Sequence, residues 1–267
     1  MLEMITYPFM QRALLAGIII GFIGSYYGVF IVQRKMSFLG SGLAHAAFGG
    51  VALGILLKTE PMWIAIPFTI IVSLAISILK EKTQLGGDTS IGILFSLSVA
   101  LGVIFLSFNQ SYSADAFSYL FGSVLTVYVS DLIIGLLLIV ITILTFFGLW
   151  SRWAYSTFDS DLAKSDRINV VRDDYILSVL ISIAIVISIK IVGIVLIAAY
   201  LVIPPATARL LSKTFIKMTI LSVIIGVITS IIGLLISYQL DLPSGATIIL
   251  TQSLVFIISI FISKLNR

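Results

Sequence analysis

ALLAGIIIGFIGSYYGVFIV, from Ala13 to Val32, runs for 20 residues without a charge, closed by Arg12 on one side and by Gln33, Arg34 and Lys35 on the other. At 1.5 Å per residue such a run spans about 30 Å as a helix, the thickness of a bilayer's hydrocarbon core. It is longer than the core of a signal peptide, and no small-residue cleavage pattern follows it, so it is read as a retained transmembrane span. Similar runs recur near Phe38–Leu57, Pro61–Leu79, Ser90–Ser107, Val129–Trp150, Tyr175–Ile189, Ile191–Leu211, Met218–Tyr238 and Ala246–Ser263. Together they predict an all-α, polytopic membrane protein of nine transmembrane helices, in one transmembrane domain over residues 1–267. The sixth run is short and parted from the seventh only by Lys190, so eight spans is the alternative.

The composition agrees: 60% of the 267 residues are hydrophobic and 10% are charged, against roughly 25% charged in an average soluble domain. A single water-soluble domain is excluded. The chain has no cysteine, which removes disulfides, thiolate metal sites and cysteine nucleophiles. The net charge of +4 is read by side of the membrane rather than as affinity for nucleic acid. With nine spans and the N-terminus outside, the cytoplasmic side receives all Lys and Arg except Arg12, Lys58 and Lys190, a strong positive-inside pattern. Eight spans would put part of these bases on the wrong side. The outer face then carries Glu3, Glu60, Asp115, Asp131 and Asp241, a mildly negative vestibule that attracts cations.

Chemistry is concentrated in MSFLGSGLAHAAFGGVALG, Met36 to Gly54, which holds the only histidine, His45. An intramembrane histidine is costly unless it faces a partner or a water-filled path. Imidazole is also a common ligand for zinc and other transition ions. The bland alternative is a histidine hydrogen-bonded to a backbone carbonyl between helices. Ser41 sits four residues earlier on the same face and could share a site. Gly49, Gly50 and their small neighbours permit close helix contact or local unwinding. Pro204 and Pro205 predict a kink or break near the cytoplasmic end of the seventh span, a hinge or gate if it is not inert. The spacing of Gly17 with Gly21 and of Gly24 with Gly28 offers close-packing faces, and the last span buries Gln252 behind a Ser244 cap. The longest polar stretch, Ser151 to Asp174, is a cytoplasmic loop in which FDSDLAKSDRINV suits a short capped helix outside the bilayer or a plain solvated loop.

No HExxH, GxSxG or GxxxxGK[ST] pattern occurs, so hydrolase chemistry finds no support, and any ATP hydrolysis belongs to another chain. Leu85-Gly86-Gly87-Asp88 faintly resembles an intramembrane aspartyl-protease signature, but its spacing is wrong.

The segment from Met36 to Gly54 resembles the signature of the membrane permeases of bacterial ATP-binding-cassette importers for zinc and manganese, which typically read SxxGDxLxHAxxxGVAxG. Collinear matches follow in Gly86 to Ser107, in FSYLFGSVLTV from Phe117, in FDSDLAKSDRINV, in AAYLVIPPATARLLS from Ala198 and in LPSGATIILTQSLVF from Leu242. The resemblance implies a type II importer-like permease in the bacterial cell membrane, a homodimer with the path between protomers. It implies a cytoplasmic ATPase dimer that binds ATP, an extracytoplasmic metal-binding protein, and no permanently bound cofactor, Zn2+ or Mn2+ being the cargo. Residues 159–169 look like the family's coupling helix, with Asp159, Asp161, Leu162, Lys164 and Arg167 as its contacts to the ATPase. His45 falls on the family's histidine. The family's aspartate is here Ser41, a departure that removes an anionic oxygen ligand and tilts the expected cargo from manganese toward zinc. An ion-coupled secondary carrier is the distant competitor and would need more ionisable groups at mid-membrane.

Overall fold

A computed structural model describes residues 7–83, 85–108 and 127–265. Its elements are α1 (Pro8–Gln33), α2 (Phe38–Leu56), α3 (Pro61–Lys82), α4 (Gly87–Ser107), α5 (Val129–Gly148), α6 (Trp150–Phe158), α7 (Ser160–Ser165), α8 (Val170–Val192), α9 (Ile194–Leu211), α10 (Phe215–Leu240) and α11 (Ser244–Leu265). Among the described residues, all but α6 and α7 are long and apolar enough to cross a membrane, which makes nine. The predicted FSYLFGSVLTV motif falls almost entirely outside the described residues, as do Glu3 and Asp115.

Helix starts follow local chemistry. Pro8 and Pro61 open α1 and α3, where a fixed φ is preset for the first turn and the missing N–H has no partner to lose. Asn169 and Thr214 cap α8 and α10 with side-chain oxygens that accept from the backbone of Arg172 and Lys217. Ser244 is the first residue of α11 rather than a cap before it.

The central post is α1. It packs on α9 and α10 along one side and on α5 and α8 along the other, while α2 is sandwiched by α3 and α4 and α11 closes against α9 and α10. Burial on every side explains why its sequence shows no polar stripe. Lipid does not drive helices together as water does, so close packing and hydrogen bonds must hold them. The glycines of α1 divide this task. Gly21 faces the backbone of Gly226 on α10, and one turn further on Gly24 faces Tyr200 and Gly28 faces Leu201 on α9. The Tyr200 hydroxyl donates to Ser230 at 2.7 Å, and Ser222 donates to the Ser25 carbonyl at 2.9 Å. On α2, Gly42 meets Ile91 and Gly49 meets Ser98, so α2 and α4 run parallel, as two helices separated by one crossing must.

Two local expectations fail. The sixth span does not stop at Lys190: α8 continues to Val192, and the break is at Gly193, whose φ of 82° is glycine territory. Lys190 stays helical because its ammonium reaches Asp131 at 3.2 Å and Glu60 at 3.6 Å, besides favouring a helix C-terminus electrostatically. Nine spans therefore stand with a different boundary. Nor do the prolines break their helix. α9 runs through Pro204 and Pro205; Pro205 removes the donor for the Leu201 carbonyl, and that carbonyl packs against Gly28 of α1. A freed backbone acceptor at depth is tolerated when protein encloses it. Likewise α2 is unbroken across Gly49 and Gly50.

Candidate functional site: a lone histidine and a tethered polar segment

His45 projects from the middle of α2, partly buried, with Ala44, Ala46 and Ala47 fully packed around its base. Its ring stands edge-on to Phe95 of α4, centroids 5.6 Å apart. Nδ1 lies 2.8 Å from the carbonyl oxygen of Ser41 and 3.5 Å from the Ser41 hydroxyl. A carbonyl can only accept, so Nδ1 is the donor of this bond, and Nε2 is the ring nitrogen left for another partner. This is the arrangement in which histidines bind transition ions, one nitrogen oriented by a backbone acceptor and the other left to the metal. The hydrogen bond runs within α2, not between helices as the bland reading supposed.

The structure brings Ser41 to His45 and nothing stronger. Among the described residues no three His, Asp or Glu side chains converge. Gly49 and Gly50 lie one turn beyond and serve packing: a methyl on Gly49 would come within 2.5 Å of the Ser98 carbonyl, and one on Gly50 within 2.7 Å of Ala65 Cα. They hold α2 against α4 and α3. Pro204 and Pro205 are buried in α9, Pro205 beside Gly28 of α1.

At one end of the bundle, α6 and α7 form the polar segment. Asp159 caps α7, its Oδ1 accepting from the backbone of Asp161 at 3.1 Å and Leu162 at 2.9 Å. Lys164 pairs with Asp161 at 3.3 Å, both exposed. Arg167 turns the chain out of α7 with a φ of 61°. Ala163 is fully buried, while Phe158 and Leu162 are 60% and 51% exposed. Ala163 thus anchors α7 while Leu162 faces out, and the Phe158 ring at the end of α6 meets Phe215 edge-on with centroids 5.3 Å apart. The Tyr155 hydroxyl donates to Asp166 at 2.5 Å, and the carboxylate holds the phenol's pKa up to about 12.

Reading the sequence alone missed what ties this segment down. Arg34 at the end of α1 donates to Asp174 at 2.7 Å and to Thr157 at 2.9 Å. Arg152 reaches Asp173 at 2.8 Å, and the buried Trp153 indole donates to the Asp173 carbonyl at 3.1 Å. The available signal was Asp173-Asp174 at the mouth of a span, because two adjacent carboxylates there require cationic partners. At the opposite end Lys190 joins Asp131 and Glu60, tying α8 to α5 and α3.

The sequence matches the ABC 3 transport family over residues 6–263. It is 35% identical over 256 residues to the manganese transport system membrane protein MntC of Listeria monocytogenes, covering 96% of this chain and 91% of that one. Against the high-affinity zinc uptake system membrane protein ZnuB of Haemophilus influenzae it is 34% identical over 252 residues, covering 93% and 95%. The fold superposes on PsaBC from Streptococcus pneumoniae, solved in complex with Fab, with a TM-score of 0.84 and 33% identity, covering 97% of this chain and 93% of that one. With a match that runs nearly end to end in sequence and in fold, the chain belongs to the ABC 3 transport family.

Proposed function

We propose that this chain is the membrane permease of an ATP-driven importer for a divalent transition metal, zinc ahead of manganese. The observation that carries the reading is His45, its Nδ1 held 2.8 Å from the Ser41 carbonyl oxygen, on a small-residue helix inside a chain of this family. The similar proteins are named for both metals. The donor set favours zinc: a single imidazole with a serine hydroxyl suits zinc better than manganese, which prefers carboxylate oxygens. Manganese is the second reading, carried by the names of MntC and ScaB.

In this reading two copies of the chain enclose the path, each contributing one His45, and the ion passes without resting tightly. A conduit needs binding strong enough to enter and weak enough to leave. The basic end, with Arg34, Arg152 and the α6–α7 segment, faces the cytoplasm, so the N-terminus is outside and the C-terminus inside. A cytoplasmic ATPase dimer binds and hydrolyses ATP. It docks on the segment through Asp159, Asp161, Leu162, Lys164 and Arg167, with Phe158 and Leu162 as the apolar anchors. An extracytoplasmic binding protein delivers the metal at the end bearing Lys190, Asp131 and Glu60. Pro204 and Pro205 stiffen α9 where it crosses Gly28, so α1 and α9 move as one body. Nucleotide-driven closure moves that body through Arg34.

The test is reconstitution with the ATPase and binding protein in vesicles, following radiolabelled zinc and manganese. ATP-dependent zinc uptake, faster than manganese uptake, is expected. Uptake of both that ignores ATP hydrolysis would sink the importer reading, and manganese preference would reverse the order of metals.

A further inference from the structure

Between the α6–α7 segment and the bundle lies a cavity of about 390 Å³, within the size range of small-ligand sites. Its deep wall is apolar, with Ile31, Leu39, Leu177 and Ile181. Its mouth is charged, with three cations, Arg34, Lys80 and Lys164, against two carboxylates, Glu81 and Asp174. Arg34 is taken by Asp174 at 2.7 Å, and Glu81 accepts from the Tyr175 hydroxyl at 3.1 Å. Lys80 differs. Among the described residues its ammonium meets no carboxylate, and its hydrogen bond goes to the Met36 thioether at 3.6 Å, a weak acceptor. Lys164 holds Asp161 in a pair whose side chains are 56% and 91% exposed, an interaction that costs little to exchange. Ser160, also on the rim, supplies a hydroxyl.

The position decides the ligand class. The cavity opens where α1 and α3 end and α8 begins, the level at which spans leave hydrocarbon for the headgroup zone. A charged mouth over an apolar wall repeats the polarity of a phospholipid. Basic pockets between spans on the cytoplasmic side are suited to anionic headgroups. We propose that this cavity holds the headgroup of an anionic phospholipid, its phosphate against Lys80 and its first acyl carbons on the Ile31 and Leu39 wall. The lipid is then a wedge between the polar segment and the bundle, and it sets the angle at which the segment is presented. The proposal rests on the basic end facing the cytoplasmic leaflet.

The test measures lipid, not transport. The full-length protein, purified with the subunits that accompany it from membranes containing phosphatidylglycerol and phosphatidylethanolamine, is examined for retained lipid by native mass spectrometry. Wild type should retain phosphatidylglycerol preferentially. Lys80→Ala and the near-isosteric Lys80→Gln should each lose about fivefold of it, as expected for one basic residue near an anionic surface, and Lys80→Arg should keep it. Millimolar inorganic phosphate should not displace it. Retention unchanged in both neutral variants overturns the proposal. Displacement by inorganic phosphate also overturns it, assigning the cavity to a free anion. Because retention is read without metal or ATP, an error in the transported ion leaves this outcome unaffected.

Discussion

Arg34, which follows the last residue of α1, binds Asp174 near the start of α8 at 2.7 Å, so the central post is tied to α8 at this end. The same guanidinium holds Thr157 on α6, so three elements meet on one planar fork. A charge-assisted bond of this kind contributes about 1–3 kcal/mol when sheltered. Here Arg34 is 15% exposed but Asp174 is 36% exposed, which screens the pair toward the lower end, about 1 kcal/mol. Arg34→Ala and Asp174→Ala should therefore each lower thermal stability modestly and couple in a double-mutant cycle by about 1 kcal/mol. ATPase stimulation by delivered metal should fall in both. Strictly additive effects would mean that the pair does not transmit motion.

The Gly28 contact predicts a larger effect. A methyl there would overlap the Leu201 carbonyl oxygen and come within 2.7 Å of Pro205 Cγ. One neighbour is a backbone atom and the other a proline ring carbon, neither of them the far end of a flexible side chain. Gly28→Ala should cost about 1–3 kcal/mol, the usual range for overpacking. Gly92→Ala is the control, since a methyl added there would meet nothing within 4 Å, and it should be neutral. Equal melting temperatures for the two variants, measured in the same detergent, would remove the claim that α1 and α9 are locked at this crossing.

His45→Ala should lower metal flux at least tenfold while leaving assembly and basal ATPase activity intact. Ser41→Asp adds a carboxylate beside Nδ1 and should convert the conduit into a holding site, with more metal retained after gel filtration and slower turnover. Unchanged flux in His45→Ala returns the residue to a packing role against Phe95.

Cap chemistry separates the fold of α7 from its contacts. Asp159→Ala removes the acceptor for two backbone N–H groups and should cost about 1 kcal/mol of local helix stability, with weaker coupling of ATP hydrolysis to transport. Asp159→Asn keeps an acceptor and should restore most of it. Lys164→Glu with Arg167→Glu leaves the cap intact and should uncouple by repulsion at the docking face. Coupling that survives the double reversal would place the ATPase elsewhere.

Tyr155 supplies a pH signature. The Asp166 carboxylate accepts its hydrogen bond and raises the phenol from its ordinary value of 10.0 to about 12. A folded-state pKa above the unfolded one stabilises fully below pH 10 and is lost as pH rises through 12. The link is therefore constant across physiological pH. Asp166→Asn should bring the phenol back down toward 10, seen by NMR of labelled tyrosine ring carbons. No downward movement would break the assigned contact.

The sequence by itself determined much of this protein. Runs of uncharged residues must become helices in a bilayer because hydrocarbon leaves backbone N–H and C=O groups no other partner. Charge bias then chose nine spans, while Asp159 with the serines around it left the polar stretch open between a capped helix and a solvated loop, and the structure has the capped helix. The glycine spacing of α1 foretold close packing but not with whom. His45 was legible as well, because one imidazole among apolar residues cannot be ignored. The rest depended on contacts between residues far apart in the chain. The Lys190 ammonium reads as a break until Asp131 and Glu60 are beside it. Pro204 and Pro205 read as a kink or break, and α9 proves continuous through them, with the Leu201 carbonyl that Pro205 leaves without a donor packed against Gly28. Arg34 reads as one more inward charge until it meets Asp174, 140 residues away. Local sequence reports what a residue costs in a membrane, and only the tertiary structure shows which distant partner offsets that cost.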